Sequence, residues 1–404
     1  MAKEKNAKNY LSGKEIRAIA KANAKEMKRL EAYKNRKADE SEFLTQMKNP
    51  ENILEIDDLH TFFFTEQGVV KAVNGVSYDV PKNKVVGVVG ESGCGKSVTS
   101  MSVMRLIQGP AGQIVDGSIR FKSNEYKRDS KGNPIPKAGC DGEFEMEEKI
   151  YDIAKMPIHE IHRIRGKQIA MIFQEPMTSL NPVFTIGQQL DEVTMLHVPG
   201  ATKELAKTKS EDMLRLVGII PENVYNAFPH ELSGGMRQRV MIAMALAAEP
   251  RLIIADEPTT ALDVTIQAQI LDLLQDIKNK IDGSILLITH DLGVIAEMAD
   301  YVVVMYAGKV IEKGTVYEIF QDPRHPYTIG LQKSKPTMSL DDSTELYNIP
   351  GNVPNPINMP SHCYFKERCA KCTAKCSGEY PGMVQVSPTH FVACHLYDEE
   401  NNNG

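Results

Sequence analysis

Val85-Val86-Gly87-Val88-Val89 runs without a break into Gly90-Glu91-Ser92-Gly93-Cys94-Gly95-Lys96-Ser97, and these thirteen residues decide the fold. The apolar run has the length and character of a strand buried on both faces. The octet fits the phosphate-binding pattern G-x-x-x-x-G-K-S/T with no mismatch, and a helix is expected from Lys96. Gly90, Gly93 and Gly95 let the backbone wrap tightly, so that successive N–H groups point at phosphate oxygens. The helix adds its positive N-terminal end. In that geometry Lys96 reaches the β- and γ-phosphates and the Ser97 hydroxyl ligates Mg²⁺. Glu91, Ser92, Cys94 and Val98 complete the stretch expected to lie along the nucleotide.

Working outward, Leu252-Ile253-Ile254-Ala255 is a second short apolar run, and it ends in Asp256 and Glu257. A strand end sets these acids at the carboxyl edge of a sheet, where ligands bind in α/β folds. Asp256 is placed to hold the Mg²⁺ shell, and Glu257 to orient or deprotonate an attacking water. Two more runs end in polar residues: Ile169–Phe173 at Gln174, and Ile285–Thr289 at His290. Strand character also recurs at 53–80, 119–121 and 301–305, with helical stretches such as 264–280 between strands. Alternating strands and helices imply a mostly parallel sheet covered on both faces. About twenty residues before Asp256, Ser233-Gly234-Gly235 opens a helix as a second anion-binding start, with Arg237 and Arg239 behind it.

The order of phosphate loop, Leu232-Ser233-Gly234-Gly235-Met236-Arg237-Gln238-Arg239 and acid-tipped strand resembles the ATP-binding subunits of ABC transporters. Met236 stands where that family usually has Gln, a variation met in its peptide-importing branch. The resemblance implies a P-loop ATPase with an antiparallel β subdomain and a helical subdomain at 175–235. It makes Gln174 the residue linking the nucleotide site to the membrane partner, and His290 the switch histidine at the γ-phosphate. Phe63 becomes the aromatic platform for adenine, with a core role the ordinary alternative for any of Phe62, Phe63 and Phe64. Ala261-Leu262-Asp263 resembles the segment lining the interface between two ATPases. By the same resemblance, two domains pack head to tail, and each ATP lies between one chain's loop and the other's Ser233–Gly235. No internal repeat appears, so one chain supplies one nucleotide domain.

Phe320-Gln321-Asp322-Pro323-Arg324-His325-Pro326-Tyr327-Thr328 resembles the segment beyond the nucleotide domain in oligopeptide and dipeptide importers. Ile172–Pro182 and Phe228–Gly235 agree with that branch, and the resemblance spans about residues 52–398. It implies two membrane permeases, a second ATPase chain (a related one or a copy), and an extracytoplasmic peptide-binding protein acting indirectly. The expected place is the cytoplasmic face of the membrane, peripherally. An importer of nickel or another small solute shares most of these motifs. A soluble ABC ATPase acting on nucleic acid or ribosomes is the rival from another class, usually marked by two nucleotide domains or a long coiled-coil insert.

Composition agrees with a soluble globular chain of 404 residues, 42% hydrophobic and 25% charged. No uncharged apolar segment approaches the roughly 18 residues that span a bilayer, and the N-terminus leads into no apolar signal core. The net charge of −6 is uneven. Residues 1–50 carry ten Lys and three Arg against six Glu and one Asp, a local +6 that leaves −12 for the rest. An acidic main body argues against broad nucleic-acid binding. Ser12-Gly13-Lys14-Glu15 reads as a capping box, and Ile16, Ile19, Ala20, Met27 and Leu30 follow at helical spacing. Residues 1–50 are thus expected to be a basic helical arm, either solvated or touching lipid or a partner. Residues 51–319 form the ATPase domain, with 122–155 a polar insertion read as a surface loop.

Residues 320–404 form an extension holding five of the seven cysteines. Cys363, Cys369, Cys376 and Cys394 match the spacing that the peptide-importer branch associates with a 4Fe–4S cluster. Four thiolates suit zinc equally, and Cys372 creates a Cys369-x-x-Cys372 spacing common in zinc sites. Iron–sulfur, zinc and unliganded thiols all stay open at this point.

Overall fold

The computed structural model describes residues 12–130, 132–137, 144–175, 179–259, 263–281, 283–334, 347–357 and 359–398. Its centre is an eight-stranded sheet in the order β11-β12-β10-β9-β3-β8-β7-β6. Five of these strands are parallel: β9 (Tyr301–Tyr306), β3 (Val85–Val89), β8 (Ser284–Ile288), β7 (Leu252–Asp256) and β6 (Ile169–Ile172). Every residue of β3, β7 and β8 is buried, which is why these strands read as unbroken apolar runs.

Alternate residues of the same strands feed two cores. Val85, Val89, Ile285 and Leu287 pack with the helices α5 (Gly234–Leu246), α6 (Val264–Ile281) and α7 (Leu292–Met298) through Val240, Ile242, Leu274 and Ile295. Val86, Val88, Leu286 and Ile288 face the other way, onto Leu54, Ile56, Leu59 and Val73. Those four belong to a second, antiparallel sheet of order β2-β1-β4-β5, built from β1 (Asn52–Thr65), β2 (Gly68–Pro81), β4 (Gly112–Tyr126) and β5 (Met146–Asp152). Each fully buried aliphatic side chain contributes about 1.5–3 kcal/mol, so this two-sided core dominates stability.

Three segments differ from the expectations of the sequence. The polar stretch 122–155 is in large part a β-hairpin, with β4 and β5 paired from Arg120–Asp152 to Tyr126–Met146. Met146 and Glu148 are exposed, but Lys122, Ser123 and Asp152 are buried polar residues, and Tyr151 is fully buried against Phe43. The N-terminal helix α1 (Gly13–Lys34) has the expected capping box but is docked, not free. Asn23 Nδ2 donates to the Thr65 carbonyl at 2.8 Å, and Gln113 Nε2 donates to Glu31 at 2.6 Å. The C-terminal extension joins the central sheet: β12 (Phe391–Val392) pairs with β10 (Lys309–Thr315), and β11 (Val384–Gln385) pairs with β12. Among the described residues, no helix is long and apolar enough to cross a membrane.

Candidate nucleotide site

The phosphate loop leaves β3 under tight steric control. A Cβ at Gly90 would lie 2.2 Å from the Met305 carbonyl oxygen. At Gly95 the backbone has φ +99°, and a Cβ would lie 2.4 Å from the Ala72 carbonyl oxygen. Only glycine fits either place. Gly95 then caps the helix α2 (Lys96–Val103) at the point where its free N–H groups face the loop. Lys96 is buried, and its ammonium donates to the carbonyls of Gly90 at 2.7 Å and Glu91 at 3.2 Å. These are bonds that phosphate oxygens can take over.

Around the loop, the structure gathers side chains from three strand ends. Ser97 Oγ donates to Asp256 Oδ1 at 3.0 Å. Burial raises the Asp256 carboxyl above its ordinary value, and nearby Glu257 adds to the effect. Hydroxyl, carboxylate and amide oxygens are the hard donors that Mg²⁺ takes alongside phosphate oxygens and waters, and Ser97, Asp256 and Gln174 are the residues that would supply them. The Glu257 carboxylate lies between Gln174 Nε2, which donates to it at 3.0 Å, and His290 Nδ1 at 3.2 Å. Glu257 is held there by an unusual backbone: φ is +47°, and its N–H donates to the Ile288 carbonyl at 2.8 Å. Strain of this kind is concentrated at functional sites. A cleft of about 570 Å³ opens between these groups, lined by Ser92, Gly93, Gly95, Lys96, Ser97, Val98, Gln174, Glu257 and His290, with Ala72 at its edge.

Several expected residues lie elsewhere. Phe63 does not line the cleft; its ring lies against Gly112, where a Cβ would meet Phe63 Cε1 at 2.9 Å. Ser233 caps α5 by accepting from the Met236 N–H at 3.3 Å, and neither it nor Gly234 and Gly235 lines the cleft of their own chain. Arg237 and Arg239 donate to the carbonyls of Pro229 at 2.8 Å and Val217 at 2.6 Å, so they brace the helix. Asp263 is exposed ahead of α6; Ala261 and Leu262 lie outside the described residues. Sequence reasoning missed Ala72, whose backbone forms the cleft edge, and Tyr327 and Arg368, which reach Glu91 from the extension. Ala72 and Arg368 lie in no motif, and the segment 320–328 that holds Tyr327 gives no local sign of its reach to Glu91.

Comparison with known proteins decides the family. Residues 73–260 match the ABC transporter model, and residues 311–376 match the oligopeptide/dipeptide transporter C-terminal region. The oligopeptide transport ATP-binding protein OppD of Bacillus subtilis (strain 168) is 48% identical over 345 residues, 85% of this chain and 88% of that protein. AppD and the dipeptide transport ATP-binding protein DppD of the same strain are each 45% identical, covering 86% of this chain and 98% and 96% of theirs. This chain belongs to the ATP-binding subunits of oligopeptide and dipeptide ABC transporters. The cassette MJ0796, solved as a dimer bound to ADP and Pi, shares the fold at TM-score 0.52 and 22% identity, covering 65% of this chain and 98% of that one.

In this ABC subunit, ATP and Mg²⁺ are the ligands the family implies, and the site just described has the donors for both. The cysteine tail does not fit its expected group in the same way. Among the described residues, no three or more His, Cys, Asp or Glu side chains gather at a separation that could hold an ion. Burial pushes the Cys363 and Cys394 thiols up to about 11, and the neighbouring cysteines add to the shift. The Thr373 N–H and hydroxyl lie at 3.5 and 3.6 Å from Cys376 Sγ, while Cys372 is exposed. Among the described residues these cysteines thus form no ready-made ligand set for iron–sulfur or zinc.

Proposed function

We propose that this chain is the ATP-hydrolysing subunit that powers oligopeptide or dipeptide import. The observation carrying this reading is the convergence of Gln174, Glu257 and His290 beside a complete phosphate loop, in a chain that also has the peptide-transporter C-terminal region. Lys96, Ser97 and the loop backbone would hold ATP, and Ser97, Asp256 and Gln174 would hold Mg²⁺, which supplies charge neutralisation at the phosphates. Glu257 orients and deprotonates the water, and His290 steadies the γ-phosphate. Ser233–Gly235 do not line the cleft of their own chain, which supports a head-to-tail pair in which each site is closed by the other chain. The solved dimer of a cassette of this fold is consistent with that pairing.

Two membrane permeases and a second ATPase chain complete the machine, at the cytoplasmic face of the membrane, with an extracytoplasmic binding protein delivering peptide. Val183 and Phe184, 74% and 49% exposed a few residues beyond Gln174, offer an apolar surface for a permease. Phe63 remains the proposed adenine platform, reached by movement of its ring away from Gly112. A 4Fe–4S cluster, or zinc, rests on the cysteine spacing alone; iron, zinc and acid-labile sulfide assays on anaerobically purified protein test it. Import itself is tested by uptake of labelled peptide and of nickel into cells lacking this chain. Wild type restores peptide uptake and Glu257→Gln does not; restoration of nickel uptake alone would sink the peptide reading.

A further inference from the structure

Two residues of the C-terminal extension hold the second residue of the phosphate loop. Arg368 donates from Nη1 to Glu91 Oε2 at 2.7 Å and from Nη2 to Oε1 at 2.9 Å, a bidentate pair. The Tyr327 hydroxyl accepts from the Glu91 backbone N–H at 2.8 Å. Both anchors are fixed before any nucleotide arrives. The Arg368 side chain is 5% exposed, Nε donates to the Pro350 carbonyl at 2.9 Å, and the guanidinium lies 5.7 and 5.8 Å from the ring centres of Tyr306 and Phe365. Tyr327 is fully buried, with its ring 4.8 Å from Tyr306 and 5.6 Å from Phe365. A planar guanidinium in an aromatic box, meeting a carboxylate through two parallel bonds, is a rigid and directional contact.

Glu91 is an acid inside a loop built to bind polyanions. Left unpaired, its charge opposes the phosphates; paired with Arg368, it is neutralised without leaving the loop. The loop is also pinned from the other side, because Gly90 lies hard against the Met305 carbonyl. The turn from Gly90 to Cys94 is thereby held between the sheet and the extension, which limits the reorganisation needed when phosphate arrives.

We propose that Arg368 is a positioning residue for ATP: it neutralises Glu91 and, with Tyr327, fixes the first turn of the phosphate loop, so the C-terminal extension sets nucleotide affinity. The proposal rests on the phosphate loop taking the nucleotide. It also means that a change in the tail around Cys363 and Cys369, which flank Arg368, is felt at the ATP site.

The test is binding of a fluorescent ATP analogue with Mg²⁺ to the full-length chain, with thermal unfolding followed without nucleotide. Arg368→Met weakens binding about tenfold, the effect of one uncompensated unit charge at roughly 10 Å in a partly screened site. Adding Glu91→Gln to Arg368→Met removes that charge and returns affinity to within about threefold of wild type. A merely structural staple predicts the opposite: the double variant stays as weak as the single one. Binding by Arg368→Met within twofold of wild type, or a loss that Glu91→Gln does not relieve, overturns the proposal. If Arg368→Met does not fold, Tyr327→Phe decides: binding about threefold weaker with unchanged unfolding supports the clamp, and unchanged affinity refutes it. A wild-type chain that bound no nucleotide would remove the site and the proposal together, whereas normal wild-type binding with unaffected variants removes only the clamp.

Discussion

Glu257→Gln separates chemistry from binding at this site. The carboxylate accepts from Gln174 at 3.0 Å and meets His290 at 3.2 Å, on a backbone held at φ +47°. Glutamine has the same shape and keeps one oxygen for Gln174, so the local structure survives, but it cannot take a proton from water. A positioned general base is worth about 10²- to 10⁴-fold in rate, which corresponds to about 2.7–5.4 kcal/mol. The phosphate loop, Lys96 and Ser97 are untouched. ATP affinity is expected within about threefold of wild type, shifted toward tighter binding because a negative charge facing the γ-phosphate is gone. Phosphate release by the assembled transporter at saturating MgATP reads the first quantity, and nucleotide titration reads the second. A rate loss below about tenfold, or a loss of binding as large as the loss of rate, would refute the role given to Glu257.

Other perturbations follow from the same geometry. Gly95→Ala places a methyl group 2.4 Å from the Ala72 carbonyl on a backbone at φ +99°, so nucleotide binding is expected to be lost along with a few kcal/mol of stability. Wild-type-like binding by that variant would contradict the loop geometry. At Glu318, burial raises the carboxyl, but donors from Thr315, Ser387 and Thr389 outweigh it and bring it down to about 2. A depressed carboxyl stabilises the fold above its ordinary 4.5 and loses that contribution as pH falls toward about 2. Glu318→Gln should therefore lower stability by roughly 1–2 kcal/mol near neutral pH and flatten the acid limb, measured by denaturant titration at several pH values. An unchanged acid limb would count against it. Asn23→Ala removes the bond to the Thr65 carbonyl and should speed proteolysis within the N-terminal arm; an unchanged cleavage rate would mean the arm is held otherwise.

Much of the central sheet was legible because burial on both faces forces continuous apolar runs, and β3, β6, β7, β8 and β9 all announce themselves that way. The phosphate loop and the polar residues ending those strands were legible because their chemistry leaves little choice of residue type. Strand β5 was not, since none of Met146-Glu147-Glu148-Lys149 is buried and the stretch reads as loop. Strands β11 and β12 are two residues each and exist only through pairing with β10. The docking of α1 rests on Asn23 and Glu31, polar residues whose partners are remote in sequence. Arg368 escaped for the same reason: its carboxylate partner lies 277 residues away, and no local pattern encodes that meeting.

The central claim is that the nucleotide held by this chain is completed by another chain, and Ser233→Arg tests it most directly. Ser233 is exposed, lies off the cleft of its own chain, and its loss as a helix cap costs only about 1 kcal/mol. The isolated variant should bind MgATP within about twofold of wild type, while the assembled transporter loses about 100-fold or more in ATP turnover. Loss of ATP binding by the isolated variant, matching that of Lys96→Ala, would place Ser233 in its own chain's site and contradict the account, as would undiminished turnover in the assembly.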